Sequence, residues 1–261
     1  MSYPVIYKRI IPATGSGCKT NPDTSGRETN PDTSGRETNT TMNQNLTEIA
    51  YVLDRSGSME TLQEAAISGF NCFVKEQLKA PGEANLSLLL FDDEFLQVCD
   101  RMPLKEVRGL NAKTYVPRGS TALLDAIGKT IKALGKQLTK EPEESRPGNV
   151  IIAIYTDGYE NASTEFTMEQ INRMITHQRK KYSWEFIFLA ANQDAIATAG
   201  RMGIDPNMSA SVALNEEGTS ASAFSIGRKI RSMRVKGSCN EEDADYHKSM
   251  SEIVQEEEGR V

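Results

Sequence analysis

The segment LTEIAYVLDRSGS, residues 46–58, decides the fold. Its alternating apolar residues from Leu46 to Leu53 predict a β-strand, and the amphipathic stretch from Met59 to Leu78 predicts a helix. The turn between them carries three oxygen donors on alternate residues: Asp54, Ser56 and Ser58. Such donors suit a hard cation such as Mg²⁺, and ligands bind at the carboxyl ends of strands in open α/β sheets. The same residue types also occur in ordinary turns and helix caps, and this segment alone leaves both interpretations open.

The remainder of the chain predicts strands that alternate with helices. Strands are predicted at Leu86 to Phe91, Phe95 to Cys99, Val150 to Tyr155, Trp184 to Ala191 and Ser209 to Leu214. Helices are predicted at Thr121 to Leu138, Met168 to Lys181, Asp194 to Met202 and Ala221 to Val235. The connection formed by residues 92–94 is too short for a crossover, and the strand that follows it must return antiparallel at a sheet edge. Repeated β-α units therefore predict a doubly wound, mostly parallel sheet with helices on both faces.

Two later segments supply further oxygen donors. Thr121 lies where a long loop meets its helix, and Asp157 lies just past the central strand. In a doubly wound sheet the ends of the first and central strands come together at the topological switch point. We therefore expect one cleft to be surrounded by Asp54, Ser56, Ser58, Thr121 and Asp157.

From Leu46 to about Val235 the sequence resembles the von Willebrand factor type A (vWA) domain, as a stand-alone protein of prokaryotic type. The match includes the family's three-part metal-ion-dependent adhesion site (MIDAS): Asp-x-Ser-x-Ser at 54–58, the isolated Thr121 and the late Asp157. The resemblance implies a Rossmann-like six-stranded sheet in the order 3-2-1-4-5-6 with one antiparallel edge strand. It also implies that the hydroxyls contact the cation, while the aspartates act through bound water or by hydrogen-bonding those hydroxyls.

The donor set predicts a binding function. Two carboxylates against a doubly charged cation leave a Lewis-acidic position that a partner's Glu or Asp can complete. We expect a metal-dependent protein-binding module and no enzyme, with Mg²⁺ as the cation and Mn²⁺ or Ca²⁺ as alternatives. A Mg²⁺-dependent hydrolase of phosphatase or nuclease type and a regulatory subunit of an ATPase or stress-response complex stay open. Against the hydrolase, the sequence shows no separate general acid and no lysine placed to hold phosphate.

Several polar residues near these donors have two interpretations each. Arg55 and Arg118 flank the donor segments and either steer an acidic partner or are simply solvated. Asn192 follows a predicted strand and either contacts a ligand or caps the next helix. Glu160 and Asn161 are expected in the wall of the loop after Asp157.

Composition divides the chain into three parts. Residues 1–45 are predicted to be disordered and contain a tandem nonapeptide repeat, in which residues 21–29 recur as 30–38. Residues 46–237 form the predicted vWA domain. Residues 238–261 form a predicted acidic tail with eight acidic and two basic residues, whose net charge of −6 equals that of the whole chain. The neutral remainder argues against nucleic acid as a partner.

The sequence also argues against other kinds of site and location. No apolar run approaches the ~20 residues needed to cross a bilayer, and the first residues do not form a secretory signal, so no membrane association is expected. With only His177 and His247, a histidine-based zinc site is excluded. The four cysteines form no CxxC pair, and we expect a reducing, cytoplasmic location.

Overall fold

The computed structural model describes residues 42–191, 194–239 and 242–259. One six-stranded sheet forms its centre, with the strand order β3-β2-β1-β4-β5-β6. The strands are β1 (Asn43–Asp54), β2 (Glu83–Phe91), β3 (Phe95–Pro103), β4 (Pro147–Thr156), β5 (Glu185–Ala190) and β6 (Ser209–Ser211). Only β3 pairs antiparallel, along β2, and every other pairing is parallel. The predicted fold class, strand order and antiparallel edge are confirmed.

Helices cover both faces of this sheet. They are α1 (Gln63–Gln77), α2 (Leu123–Leu138), α3 (Met168–Tyr182), α4 (Ala195–Met202), α5 (Glu216–Cys239) and α6 (Met250–Glu258). Successive side chains of a strand point to opposite faces. Accordingly, the Tyr51 ring of β1 stacks edge-on against Phe70 of α1 at 5.4 Å, whereas Ala50 lines a small cavity with Thr130 and Leu134 of α2. Helices α1 and α2 therefore lie on opposite sides of β1.

Several element boundaries differ from the prediction. A 3-10 turn at Gly57–Leu62 separates β1 from α1, so the predicted helix from Met59 begins later as an α-helix. Helix α5 begins earlier than predicted, at Glu216, and β6 ends at Ser211. Strand β1 begins at Asn43, where its backbone N–H donates to the carbonyl of Arg146.

The acidic C-terminal segment packs on the domain over its described residues. Helix α6 buries Met250, Ile253 and Val254 almost completely. Arg228 of α5 forms ion pairs with three acids, which are Asp245, Glu256 and Glu257. The segment was predicted to be a tail outside the domain. Residues 242–259 instead belong to its surface, because five of their seven acids are paired with cations of α5 and the apolar residues of α6 are buried.

Some predictions concern residues that the structure does not describe. Residues 1–41, with the nonapeptide repeat, and Asn192 lie outside the described residues. Within the described residues, no helix combines the length and apolar character that a membrane span requires.

Candidate metal site

Asp54 stands at the carboxyl end of β1 with both carboxylate oxygens held. Its Oδ1 accepts a hydrogen bond from the Ser56 backbone N–H at 2.7 Å, and its Oδ2 accepts one from Thr156 Oγ1 at 2.5 Å. The Tyr115 hydroxyl donates to the Asp54 carbonyl at 2.5 Å. Burial raises the pKa of Asp54 to about 7, against the opposing effect of these donors to its carboxylate. The carboxylate is therefore fixed in position and costly to ionise without a cation.

The two serines link this loop to the end of β4. Ser56 Oγ lies 3.1 Å from Ser58 Oγ, and Ser58 Oγ donates to Asp157 Oδ1 at 2.9 Å. Ser56 is buried and Ser58 is exposed. Ser58, the middle member of this chain of oxygens, is thus its exposed member between buried Ser56 and buried Asp157, and a ligand can reach the oxygens there.

Thr121 is positioned by the loop that follows Asp157. Its backbone N–H donates to Asn161 Oδ1 at 2.9 Å, and its carbonyl accepts from the backbone N–H of Asn161 at 3.0 Å and of Ala162 at 3.2 Å. A Cβ atom on Gly158 would lie 3.0 Å from Thr121 Oγ1 and 3.8 Å from Ser58 Oγ. The hydroxyls of Thr121 and Ser58 therefore face the same small space beside Gly158.

Backbone hydrogen bonds join the loops around the site. The N–H of Gly57 donates to the Gly119 carbonyl at 3.1 Å, and the N–H of Arg118 donates to the Arg55 carbonyl at 2.8 Å. The N–H of Ala122 donates to the Asp92 carbonyl at 2.9 Å. Because these bonds connect the loop after β1 to the loops before α2 and after β2, the oxygen donors are held without needing a ligand.

Asp157 leaves one carboxylate oxygen without a donor. The residue is 1% exposed, and its Oδ2 has no hydrogen-bond partner among the described residues. Burial raises the pKa of Asp157, and the hydrogen bond from Ser58 only partly opposes this effect. A buried carboxylate oxygen without a partner is costly, and a cation in the adjacent space would remove that cost. The donor set therefore fits a hard divalent cation.

The candidate metal site is not built mainly from carboxylates. No group of three or more His, Cys, Asp or Glu side chains that could hold a metal ion occurs in the described ranges 42–191, 194–239 and 242–259. The candidate site has two carboxylates and three hydroxyls. Metal binding here depends on the hydroxyls and stays a prediction.

The two flanking arginines share one buried acid. Arg55 is 7% exposed and places its Nε 3.1 Å from Asp92 Oδ2, while Arg118 Nε donates to the same oxygen at 2.9 Å. Arg118 also pairs with Glu94. Neither sequence interpretation describes Arg55, because it is neither solvated nor free to steer a partner. It helps to hold the loop after β1 against the loop after β2.

The other predicted neighbours have supporting roles. Glu160 Oε2 accepts from the Leu124 N–H at 2.9 Å, which places Glu160 in the loop wall next to α2. Asp194 is the N-cap of α4, since its Oδ1 accepts from the Ala197 N–H.

Sequence analysis missed four residues that position the donors: Thr156, Tyr115, Asp92 and Asn161 in its bond to Thr121. The only available signal was the place of Thr156, between the end of a buried strand and Asp157. The other three act through contacts between distant segments.

No protein-family model matches the chain, and no curated protein matches it. Among solved structures, the pilus adhesin SpaC from Lactobacillus rhamnosus GG is similar with a TM-score of 0.52 and 13% identity, over 74% of this chain and 32% of SpaC. Proximal thread matrix protein 1 from the mussel byssus, with a zinc-occupied MIDAS motif, has a TM-score of 0.49 and 13% identity over 71% of this chain and 46% of its own. A von Willebrand factor type A protein from Catenulispora acidiphila has a TM-score of 0.46 and 13% identity over 74% of this chain and 42% of its own.

The chain spans less than half the length of each of these three proteins. At this identity the similarity to SpaC shows a shared fold and nothing about activity.

Proposed function

We propose that the protein is a divalent-metal-dependent protein-binding module of vWA type. The cation would be held by Asp54, Ser56, Ser58, Thr121 and Asp157, and a Glu or Asp of the partner would complete its shell. The observation that carries this proposal is the buried Asp157 Oδ2, which has no partner among the described residues and stands beside hydroxyls that open to solvent at Ser58.

The charge of the donor set supports a bridging role. Asp54 and Asp157 supply two negative charges, and the three hydroxyls supply none. A bound divalent cation would be neutralised without being shielded from solvent, and it would offer a Lewis-acidic position to an anionic oxygen. Mg²⁺ is the first choice, and Mn²⁺ and Ca²⁺ are alternatives.

The surface at the opening suits a protein partner. Tyr159 follows Gly158 directly and is 61% exposed. Aromatic side chains are favoured at protein interfaces because they bury a large area at small entropic cost. We propose that the partner presents its carboxylate beside an apolar surface that covers Tyr159.

No observation among the described residues favours the hydrolase alternative, and we propose a binding role without catalysis. Nucleic acid and membranes are not proposed as partners. We propose a reducing, cytoplasmic location, supported by Cys72, Cys99 and Cys239, which are free thiols in the described chain.

The test is metal-dependent capture. The immobilised full chain is incubated with cell extract in Mg²⁺ and in EDTA, beside the Asp157→Ala variant and a Ser120→Ala control whose side chain is exposed next to Thr121. We expect one set of proteins to be retained only in Mg²⁺ and only by the wild-type and control chains. Calorimetric Mg²⁺ titration should show loss of binding in Asp157→Ala, and unchanged Mg²⁺ affinity in that variant would refute the proposal.

A further inference from the structure

A groove of about 810 Å³ lies between α2 and α3. Its floor is apolar and includes Ile131, Met174 and Trp184. Pro147 at the start of β4 and Trp184 just before β5 place it at the amino ends of the strands. The groove is thus at the opposite end of the sheet from Asp54 and Asp157, and it is a separate surface from the candidate metal site.

The rim of this groove is strongly basic. Its lining includes one acid, Glu143, against six basic side chains: Lys132, Lys136, Arg146, Arg173, His177 and Lys181. Within the described residues, no ion pair involves Lys136, Arg146, Arg173 or Lys181. Elsewhere in the described chain, by contrast, most buried or half-buried arginines have a carboxylate partner, as Arg55, Arg101 and Arg228 do. The groove therefore presents unneutralised positive charge around an apolar floor.

The cations are arranged along the groove and not at one end. On α3 they occur at Arg173 and Lys181, which lie eight residues and about 12 Å of helix apart at 1.5 Å rise per residue, with His177 between them. On the facing wall, Lys132 and Lys136 are also one turn apart. A ligand with a single negative head, such as a fatty acid, would neutralise only one end of these rows. A helical peptide with acids every four residues repeats the same spacing.

We propose that this groove binds an acidic amphipathic segment of a partner protein. Apolar side chains of the segment would cover Ile131, Met174 and Trp184, and its flanking Asp or Glu residues would pair with Lys136, Arg173 and their neighbours. Amphipathic helices bind apolar grooves in this way through side chains at i, i+3, i+4 and i+7. The proposal is independent of metal binding at the other end of the sheet.

The chain's own N-terminal segment is a less suitable occupant. Met42 lines the groove, and residues 1–41 precede it. The apolar stretch of that segment, residues 3–11, carries Lys8 and Arg9 and no acid. It would bring further positive charge to a basic rim, whereas an acidic segment neutralises that rim.

Trp184 gives a direct readout, because it is the only tryptophan of the chain and lies on the groove floor. The probe is a tryptophan-free helical peptide of about 15 residues with Leu at i, i+3, i+4 and i+7 and Glu on both flanks. It is titrated into the full-length protein and followed by Trp184 fluorescence. We expect a saturable change, with affinity about tenfold lower for the same peptide with Gln in place of Glu and lower still in high salt.

Two variants locate the binding site. At Gly135 of α2 an added Cβ would lie 3.9 Å from Trp184 Cη2, so Gly135→Leu places a larger side chain in the groove. The matched control is Gly200→Leu in α4, where an added Cβ would meet nothing within 4 Å. We expect Gly135→Leu to abolish peptide binding and Gly200→Leu to preserve it. The double charge reversal Lys136→Glu with Arg173→Glu should also abolish it, and far-ultraviolet circular dichroism checks that each variant is folded.

Several outcomes would overturn the proposal. Equal affinity for the Glu and Gln peptides would show that the basic rim does not select its ligand. Unchanged binding in the charge-reversal variant would place the peptide elsewhere. Saturable binding of dodecanoate without binding of the peptide would identify a site for single-headed amphiphiles. A change in Trp184 fluorescence caused by Ile10→Asp alone, with no peptide added, would identify the chain's own N-terminal segment as the occupant.

Discussion

Replacing Asp157 by Asn should change stability in opposite directions without and with metal. The Asn side chain keeps an oxygen that can accept the hydrogen bond from Ser58 Oγ, which Asp157 Oδ1 accepts at 2.9 Å. It removes the negative charge shared with Oδ2, which is buried and has no partner among the described residues. If the role of Asp157 is only structural, the substitution should lower the stability of the protein. If Asp157 is a metal ligand whose buried charge has no partner without the metal, the substitution should raise the stability of the metal-free protein.

The size of the expected change in stability follows from the burial of Asp157 Oδ2. Leaving a buried polar group unsatisfied costs about 1 to 3 kcal/mol, and more when it is charged. The amide nitrogen that takes the place of Oδ2 keeps the first cost and removes the extra cost of the charge, which should stabilise the metal-free protein by about 1 kcal/mol. A cation at 100 times its Kd stabilises the wild type by about 2.7 kcal/mol, and the variant should gain almost nothing. For a domain of this size each kcal/mol shifts the Tm by about 2 to 4 °C.

The assay is thermal unfolding in EDTA and in excess Mg²⁺. Asp125→Asn is the matched control, because Asp125 is also buried but both of its oxygens accept backbone N–H bonds, from Thr164 at 3.0 Å and from Phe166 at 2.9 Å. An Asn amide nitrogen there would lie opposite a backbone N–H, and two donors cannot form a hydrogen bond. Asp125→Asn should therefore lower the Tm in EDTA and keep the Mg²⁺ shift of the wild type.

A metal-ligand role for Asp157 is refuted if Asp157→Asn lowers the Tm of the metal-free protein as Asp125→Asn does. It is equally refuted if Mg²⁺ raises the Tm of Asp157→Asn by as much as it raises that of the wild type.

Two further predictions concern pH and the space beside the hydroxyls. Burial raises the pKa of Glu48 from its ordinary 4.5 to about 7, although Arg101 opposes this. Its protonated form therefore adds stability below about pH 4.5 that is lost as the pH rises to 7, about 3 kcal/mol at 1.36 kcal/mol per pH unit. Urea unfolding across this range should show a loss of stability that is about 3 kcal/mol smaller in Glu48→Gln than in the wild type, and parallel pH profiles would contradict it. Gly158→Ala adds a methyl group 3.0 Å from Thr121 Oγ1. The variant should fold normally and bind Mg²⁺ about tenfold, or 1.4 kcal/mol, more weakly in a calorimetric titration. Unchanged affinity would mean that the cation does not occupy this space.

The antiparallel edge strand was predictable from the residues because a short connection excludes a crossover, whereas the full strand order was implied by the resemblance to the vWA domain. The apolar run ending at Phe91 and the three-residue connection before Phe95 leave no room for a crossover, and β3 is indeed antiparallel. Strand beginnings were less predictable. Strand β1 extends back to Asn43 and β4 to Pro147, since ladder hydrogen bonds need no apolar side chain.

Helix α6 was missed because acidic residues obscured its pattern. Met250, Ile253 and Val254 have the i, i+3, i+4 spacing of a buried helix face, and Ser249 and Glu252 form a capping box. Both signals are present in the sequence. The charge of the segment drew the interpretation towards a solvated tail, although that charge is partly neutralised by Arg228.

In the candidate site, sequence analysis identified the donors but not what holds them. The order of Asp54, Thr121 and Asp157 along an α/β pattern was enough to expect one cleft. The ion pair between Arg55 and Asp92 could not be foreseen, because it follows from the parallel register that sets Asp54 beside Phe91. Contacts of this kind depend on register and loop path, which residue types alone do not specify.

The most direct test of the metal site is to count bound Mn²⁺ by equilibrium dialysis with electron paramagnetic resonance detection. Mn²⁺ takes the oxygen donors that Mg²⁺ takes, and its signal distinguishes free from bound ion. The full chain and Ser120→Ala should each bind one Mn²⁺ per chain, and Thr121→Val, which keeps the shape of Thr121 without its hydroxyl, should bind far more weakly. Absence of Mn²⁺ binding by the wild type, or equal binding by Thr121→Val, would contradict the assignment of this cluster as a metal site.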